Sequence, residues 1–428
     1  MKARDRISRR GFFQKATRSV AGAAVALSAP TVIPRSALGG PGVAAANDRL
    51  ALGWIGGGGQ GNGDAGALLG TGQVELVAVC DVYRPHAEKA AARGREGTKI
   101  YSDFREMLDR DNMDIVLIAT PDHWHALPAI AACQAGKDVY CEKPLSLTIE
   151  EGRAMVAAVR RGNRIFQVGS QQRSEFSFRR ACELVRSGRI GKLQSVDTRI
   201  GGNPTCGYDG FDPIPDGLDW DMYLGPAPWV PYNRHRTFGE FRRFWDYSGG
   251  NMTDWGAHHN DIAQWGMGTE LTGPVEIEGS GVFPKSGLME CPTSFEATFK
   301  YKNGVELRCS SQGNDCTFHG TGGWIACNRG NKLISDPPDI VKEPLGPNDV
   351  HLYESNGHHR NFIECVRSRK LPICDVETGH RSVSVCHLGN IAIRLGRKIQ
   401  WDPDKEQIVG DEEAARWVSR PMRSPWRL

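Results

Sequence analysis

Apolar and polar positions follow two textures along this chain. Between residues 50 and 168, short apolar runs alternate with amphipathic stretches. The runs at 50–55, 74–80, 114–119, 138–141 and 165–168 read as buried strands, and the stretches at 60–69, 85–93, 103 onward and 127–135 as helices. Thr148-Ile149-Glu150-Glu151 forms a capping box that opens a further helix running to about 161. Strands alternating with helices predict βαβ units and a parallel sheet. After Gly169 the texture changes. A helix at 176–187 and a strand at 193–199 lead into 201–250, a segment rich in Gly, Pro and aromatics with little periodicity. Its length argues for function and its aromatics argue against disorder. Strand-like runs follow at 275–282, 294–301, 305–311 and 324–327, with Lys302-Asn303-Gly304 as a hairpin turn. Helices at 358–367 and 377–395 come last. The predicted fold class is therefore α/β, with a dinucleotide-type domain at 47–168 and a second domain at 169–428.

Residues 1–46 stand apart. They carry eight Lys/Arg against one acid, Asp5, so the rest of the chain is mildly acidic and offers no basic footprint for nucleic acid. Ser8-Arg9-Arg10-Gly11-Phe12-Phe13 precedes a moderately apolar stretch at 19–33 and then Ala44-Ala45-Ala46. That order reads as a twin-arginine export signal, which places the mature protein in the periplasm or another extracytoplasmic space. The apolar part is too short to span a bilayer. The twelve Cys show no C-x-x-C pairing and no zinc spacing, so free, mostly buried thiols and no metal are expected.

Three constellations carry chemistry. Gly56-Gly57-Gly58-Gly59-Gln60-Gly61 reads as G-x-G-x-x-G through Gly56, Gly58 and Gly61, after a strand and before a helix. Such a turn lets the backbone approach a pyrophosphate at a helix N-terminus. Asp81 ends the next strand, where a carboxylate takes the ribose hydroxyls of NAD; Arg84 nearby leaves NADP open. Glu142-Lys143-Pro144 sits at the carboxyl end of a parallel strand, where ligands of open sheets bind. Asp254, His258 and Asp261 recur at i, i+4 and i+7, so a helix gives them one face. An Asp–His pair suits alcohol oxidation, the imidazole taking the proton as hydride leaves carbon. Each residue also has a plainer reading: Asp254 as a helix cap, His259 as a core histidine, Asp261 as the partner of an arginine. Adjacent histidines point apart on a helix, which disfavours a metal at His258, His259 and Asp261.

On these residues the chain resembles the Gfo/Idh/MocA oxidoreductases, the glucose–fructose oxidoreductase and inositol dehydrogenase family. The likeness includes the glycine loop, Ala119-Thr120-Pro121-Asp122-His123-Trp124-His125, Glu142-Lys143-Pro144, 169–173 and the Asp254…His258 segment. The runs at 244–265 and 420–426 are similar to a subgroup abundant in planctomycetes. The resemblance implies an N-terminal Rossmann domain and a C-terminal α/β domain with a large, mostly antiparallel sheet that mediates a dimer or tetramer. It implies Lys143 beside substrate and nicotinamide, His258 as acid/base and Asp254 as its partner. Thr120, Pro121, His123 and Glu142 would lie along the cofactor. Arg173 and Gln171 would border the nicotinamide cleft, and Arg173, Trp245 and Asp261 are candidate substrate contacts. The segment 201–247 is longer and more aromatic than in simple inositol dehydrogenases. Its Trp220, Tyr223, Trp229, Tyr232 and Trp245 either stack on sugar faces or fill space under a long loop, and the second reading is preferred.

The expected activity is hydride transfer between a sugar or polyol hydroxyl carbon and NAD. Free NAD is not expected outside the cytoplasm, so an exported enzyme has to keep its cofactor and recycle it with a second substrate. The alternative is a redox-neutral glycoside hydrolase or lyase that uses NAD transiently. A sugar-binding protein without activity is a third reading, opposed by the presence of Lys143, Asp254 and His258.

Overall fold

The computed structural model describes residues 44–45, 48–110, 112–208 and 210–428. Apart from Ala44 and Ala45, the segment read as an export signal lies outside them. The first six strands are β1 (Leu50–Ile55), β2 (Val74–Cys80), β3 (Lys99–Tyr101), β4 (Ile115–Ile118), β5 (Asp138–Cys141) and β6 (Phe166–Val168). They pair all-parallel in the order β3-β2-β1-β4-β5-β6. This is the doubly wound arrangement, with its crevice at the carboxyl ends of β1 and β4, where the strand order reverses. Helices on both faces explain why β4 and β5 are buried along their whole length. The capping box is present: Thr148 accepts from the Glu151 N–H, and helix Ile149–Gly162 follows.

The second sheet has nine strands: β7 (Leu193–Arg199), β8 (Glu276–Val282), β9 (Ser294–Lys300), β10 (Glu306–Ser310), β11 (Asp315–Gly320), β12 (Gly323–Asn328), β13 (Lys332–Asp336), β14 (Ile399–Asp402) and β15 (Gln407–Val409). Their order is β13-β12-β11-β7-β10-β9-β8-β14-β15, and only β7 and β10 run parallel. Alternation along β9 sends Phe295, Ala297 and Phe299 into one core. Helices Phe176–Arg186, Gly256–Met267 and Val376–Leu395 cover that face. The hairpin between β9 and β10 turns at Gly304, whose φ of +85° suits glycine.

The late part of the chain returns to the first sheet. Helix His358–Ser368 inserts Phe362, Ile363, Cys365 and Val366 among Leu52, Trp54, Leu76 and Leu117. Helix Val376–Leu395 starts in the core of the parallel sheet with Val376 and Val383 and ends in the other core with Leu388 and Ile391. It therefore rivets the two halves together. Arg153, on the first half, adds ion pairs to Glu377 at 2.7 Å and Glu406 at 2.6 Å.

The irregular segment has its own core, in which Leu218, Trp220, Tyr223, Tyr232, Phe241, Phe244 and Tyr247 are buried together. The preferred space-filling reading therefore holds for Trp220 and Tyr232; Tyr223 is buried but also lines the cleft, and Trp229 is exposed. The one helix expected through Asp254–Asp261 is two, Asn251–Asp254 and Gly256–Met267, with Trp255 between them.

Candidate active site

The cleft begins at the carboxyl end of β1. Gly56 turns with φ +91°, and a Cβ there would lie 2.7 Å from the Ala119 carbonyl. A Cβ on Gly61 would lie 2.3 Å from the Gly56 oxygen, so this glycine lets helix Gly59–Gly70 pack against the turn. Gly58 and Gly59 face open space, with nothing within 4 Å of an added Cβ. Asp81 closes this end. Its carboxylate accepts from the Gly57 N–H at 2.6 Å and the Tyr83 N–H at 2.8 Å. Burial nevertheless raises its pKa. Arg84 turns away and pairs with Glu88 at 2.7 Å.

The walls come from the ends of β4 and β5. Thr120, Pro121, Glu142 and Lys143 line a cavity of about 410 Å³ together with Gly56, Gly58 and Asp81. The Thr120 hydroxyl and Glu142 Oε2 are buried without a partner. Glu142 Oε1 accepts from Gln171 at 2.6 Å, and burial, then Asp64, pushes its carboxyl well above the usual range. These features fit a dinucleotide: open glycine backbone at a helix N-terminus, a carboxylate at the ribose position, and buried polar atoms awaiting partners.

At the inner end, Lys143 Nζ is ion-paired with Asp254, and Arg242 Nε lies 3.2 Å from the same carboxylate oxygen. Burial alone would raise the Asp254 carboxyl, but Lys143 and Arg242 overcome it and hold the group ionised, well below its ordinary pKa. Asp122, hydrogen-bonded to Ser248, is pushed by burial to about 7. His258 is buried behind this cluster rather than lining the cleft, and it makes no hydrogen bond to Asp254, though it feels the charges of Lys143 and Asp254. Burial, then Lys143 and Arg329, pull its pKa well below the ordinary value, so the ring is neutral. Arg329 donates to His258 Nε2 at 3.1 Å, which puts the ring proton on Nδ1, and Nδ1 has no partner.

The irregular segment roofs the cleft. Leu218, Met222, Tyr223, Phe238, Phe241 and Arg242 all line it. It is strapped to the chain just after Asp81: the Arg84 N–H donates to the Gly217 carbonyl at 2.8 Å, and the Asp219 N–H to Val82 at 2.9 Å. The Phe238 ring packs on Tyr83 at 5.3 Å and on His86 at 5.5 Å.

Four sequence-based assignments need correction. His123 does not line the cleft; it is buried among Tyr223 and Tyr247, with Nε2 2.9 Å from the Tyr223 carbonyl. The short helix Asp122–Trp124 turns Asp122 and Trp124 to the cleft instead. Arg173 and Asp261 form a buried two-pronged ion pair, at 2.6 and 2.8 Å, with side chains 4% and 1% exposed. They reach no ligand space. Trp245 lies 4.2 Å from both the Arg394 and Arg420 guanidinium carbons and lines a separate cavity of about 280 Å³. Conversely, Arg242, Asp122 and Arg329 carry the electrostatics of the site; Asp122 stands in the 119–125 motif but is given no role there, and no periodicity or motif points to Arg242 or Arg329.

A doubly wound sheet with an open glycine turn, joined to a second domain whose short helix Asn251–Asp254 delivers a carboxylate to Lys143, defines a two-domain dinucleotide-binding architecture. The chain belongs to the Gfo/Idh/MocA oxidoreductase family: residues 50–170 match its NAD-binding Rossmann fold model, and 208–428 its C-terminal alpha/beta domain model. The inositol 2-dehydrogenase of Salmonella typhimurium is 32% identical over 127 residues, 29% of this chain and 38% of that enzyme. The chain thus spans well under half the length of that relative. The scyllo-inositol 2-dehydrogenase (NAD(+)) of Bacillus subtilis is 29% identical over 346 residues, 77% of this chain and 89% of that enzyme. An aldose-aldose oxidoreductase from Caulobacter crescentus, solved with glycerol, superposes with a TM-score of 0.61 at 19% identity, over 82% of this chain and 99% of that one.

Proposed function

We propose that this protein transfers hydride between a hydroxyl-bearing carbon of a sugar or polyol and an NAD that stays bound, and that it works outside the cytoplasm after twin-arginine export. The observation that carries the chemistry is the Lys143–Asp254 pair at the inner end of the cleft that begins at Gly56 and Asp81. The relatives support the substrate class, being named for inositols and aldoses. The strap supports the bound state, because it roofs the cleft and is tied to residues 82–84 beside Asp81. The basic N-terminal segment supports export. The nine-stranded sheet, with helices on one face, supports assembly of two or four copies through the other.

When bound, NAD supplies the hydride acceptor. The protein's own groups handle the proton. Lys143, fixed by Asp254, donates to the substrate hydroxyl oxygen and stabilises the negative charge that develops there. His258 is held in the unprotonated form that can accept a proton. The hydroxyl replaces Arg329 at Nε2 and delivers its proton there, with Asp254 supporting the imidazolium. With NAD bound, a second sugar would take back the hydride that a first had given up, and Lys143 and His258 would return the proton to its oxygen.

The test uses full-length protein loaded with NAD and mixed with glucose or myo-inositol deuterated at the hydroxyl-bearing carbons. Deuterium in the nicotinamide ring, read by mass spectrometry, is the expected result. Deuterium absent from the ring with every substrate overturns the reading. Cleavage of a glycoside with no net reduction of NAD replaces it with redox-neutral elimination, in which the oxidised sugar carbon acidifies its neighbour.

A further inference from the structure

On the outer side of the strap, away from Lys143, three side chains form a chain of their own. Cys206 Sγ lies 3.3 Å from His235 Nε2, and His235 Nδ1 is bonded to the Glu240 carboxylate. Of the twelve cysteines, eleven are buried; Cys206 is half-exposed. A carboxylate can only accept, so Glu240 fixes the His235 proton on Nδ1 and leaves Nε2 bare toward the sulfur. The thiol therefore donates to a ring nitrogen that can take its proton. The Tyr208 backbone N–H points at the same sulfur from 3.4 Å, placed to stabilise a thiolate. The neighbouring charges are spoken for: Arg234 pairs with Asp212 and lies over the Tyr208 ring. Nucleophile, base and orienting carboxylate in line are the arrangement that activates a thiol.

We propose that Cys206, His235 and Glu240 form a nucleophilic thiol site, distinct from the cleft, that exchanges with low-molecular-weight disulfides. His235 takes the thiol proton, and the sulfur attacks one sulfur of the disulfide. The S–S bond breaks, and the departing sulfide recovers the proton from His235. One thiol and one disulfide become a mixed disulfide and a new thiol, with no net oxidation. The site bears on the strap, because Glu240 stands between Gly239 and Phe241, which line the cleft.

The experiment exposes native full-length protein to oxidised glutathione and follows intact mass, with the rate of reaction toward a chromogenic aromatic disulfide measured in parallel. One adduct per chain is expected, at Cys206, reversed by dithiothreitol and absent in Cys206→Ser. His235→Asn removes the base. Glu240→Gln keeps a carbonyl acceptor for the Nδ1 proton but removes the negative charge that supports the imidazolium. Each is expected to slow the reaction by about tenfold or more, since the base that takes the thiol proton is lost or loses the carboxylate that supports its charge. Melting curves identify which variant is folded, and either one suffices. No adduct on the native protein, an adduct at another cysteine, or an unchanged rate in a folded His235→Asn or Glu240→Gln protein overturns the proposal.

Discussion

Replacing Lys143 by alanine is expected to lower turnover roughly a hundredfold to ten-thousandfold while leaving the protein folded and its NAD in place. Asp254 keeps Arg242 at 3.2 Å, so the buried carboxylate is not stranded. The cofactor end of the cleft, from Gly56 to Asp81, is untouched. What disappears is the donor to the hydroxyl oxygen in the transition state. The loss should therefore fall on kcat as well as on kcat/KM. Steady-state kinetics with any sugar or polyol that the unmodified protein oxidises gives the answer. Unchanged turnover would remove Lys143 from the chemistry.

Replacing Asp261 by leucine is expected to destabilise the protein by about 3–5 kcal/mol, because it leaves the Arg173 guanidinium buried and unpaired. Ser382 also loses its acceptor on Asp261. Removing both charges together, as Arg173→Leu with Asp261→Leu, should recover much of that loss, since two apolar side chains need no partner. Urea unfolding midpoints of the single and double variants measure this. A substrate role would give the opposite pattern, a raised KM with an unchanged midpoint.

The sequence made some of this arrangement legible and hid the rest for physical reasons. Gly56, Gly58, Gly61 and Asp81 could be read because a phosphate turn and its ribose carboxylate lie within one βαβ unit, at fixed spacing. Lys143 could be read because it ends a strand. Arg242, by contrast, reaches Asp254 from a short helical turn in a segment with no periodicity, and Arg329 reaches His258 from the turn between β12 and β13. Only tertiary packing brings them in. For Asp261 the plainer reading, partner of an arginine, is the one the structure shows, and Arg173 is that arginine; neither touches the substrate space that the resemblance implies, because spacing shows which face a residue takes but not whether that face meets ligand or core. The strands β3, β11, β13, β14 and β15 have no counterpart in the sequence reading; β3 and β15, at three largely exposed residues each, lack the apolar run that marks the equally short β6. The return of helix His358–Ser368 to the first sheet has no local signal either; its apolar face is satisfied equally by any core.

The central claim, an oxidoreductase that keeps its NAD under a strap, is tested most directly by purifying the full-length protein without added cofactor, denaturing it, and quantifying the released dinucleotide by chromatography. Close to one NAD or NADH per chain is expected. Protein that is empty as isolated, and that binds and releases added NAD freely, would contradict it.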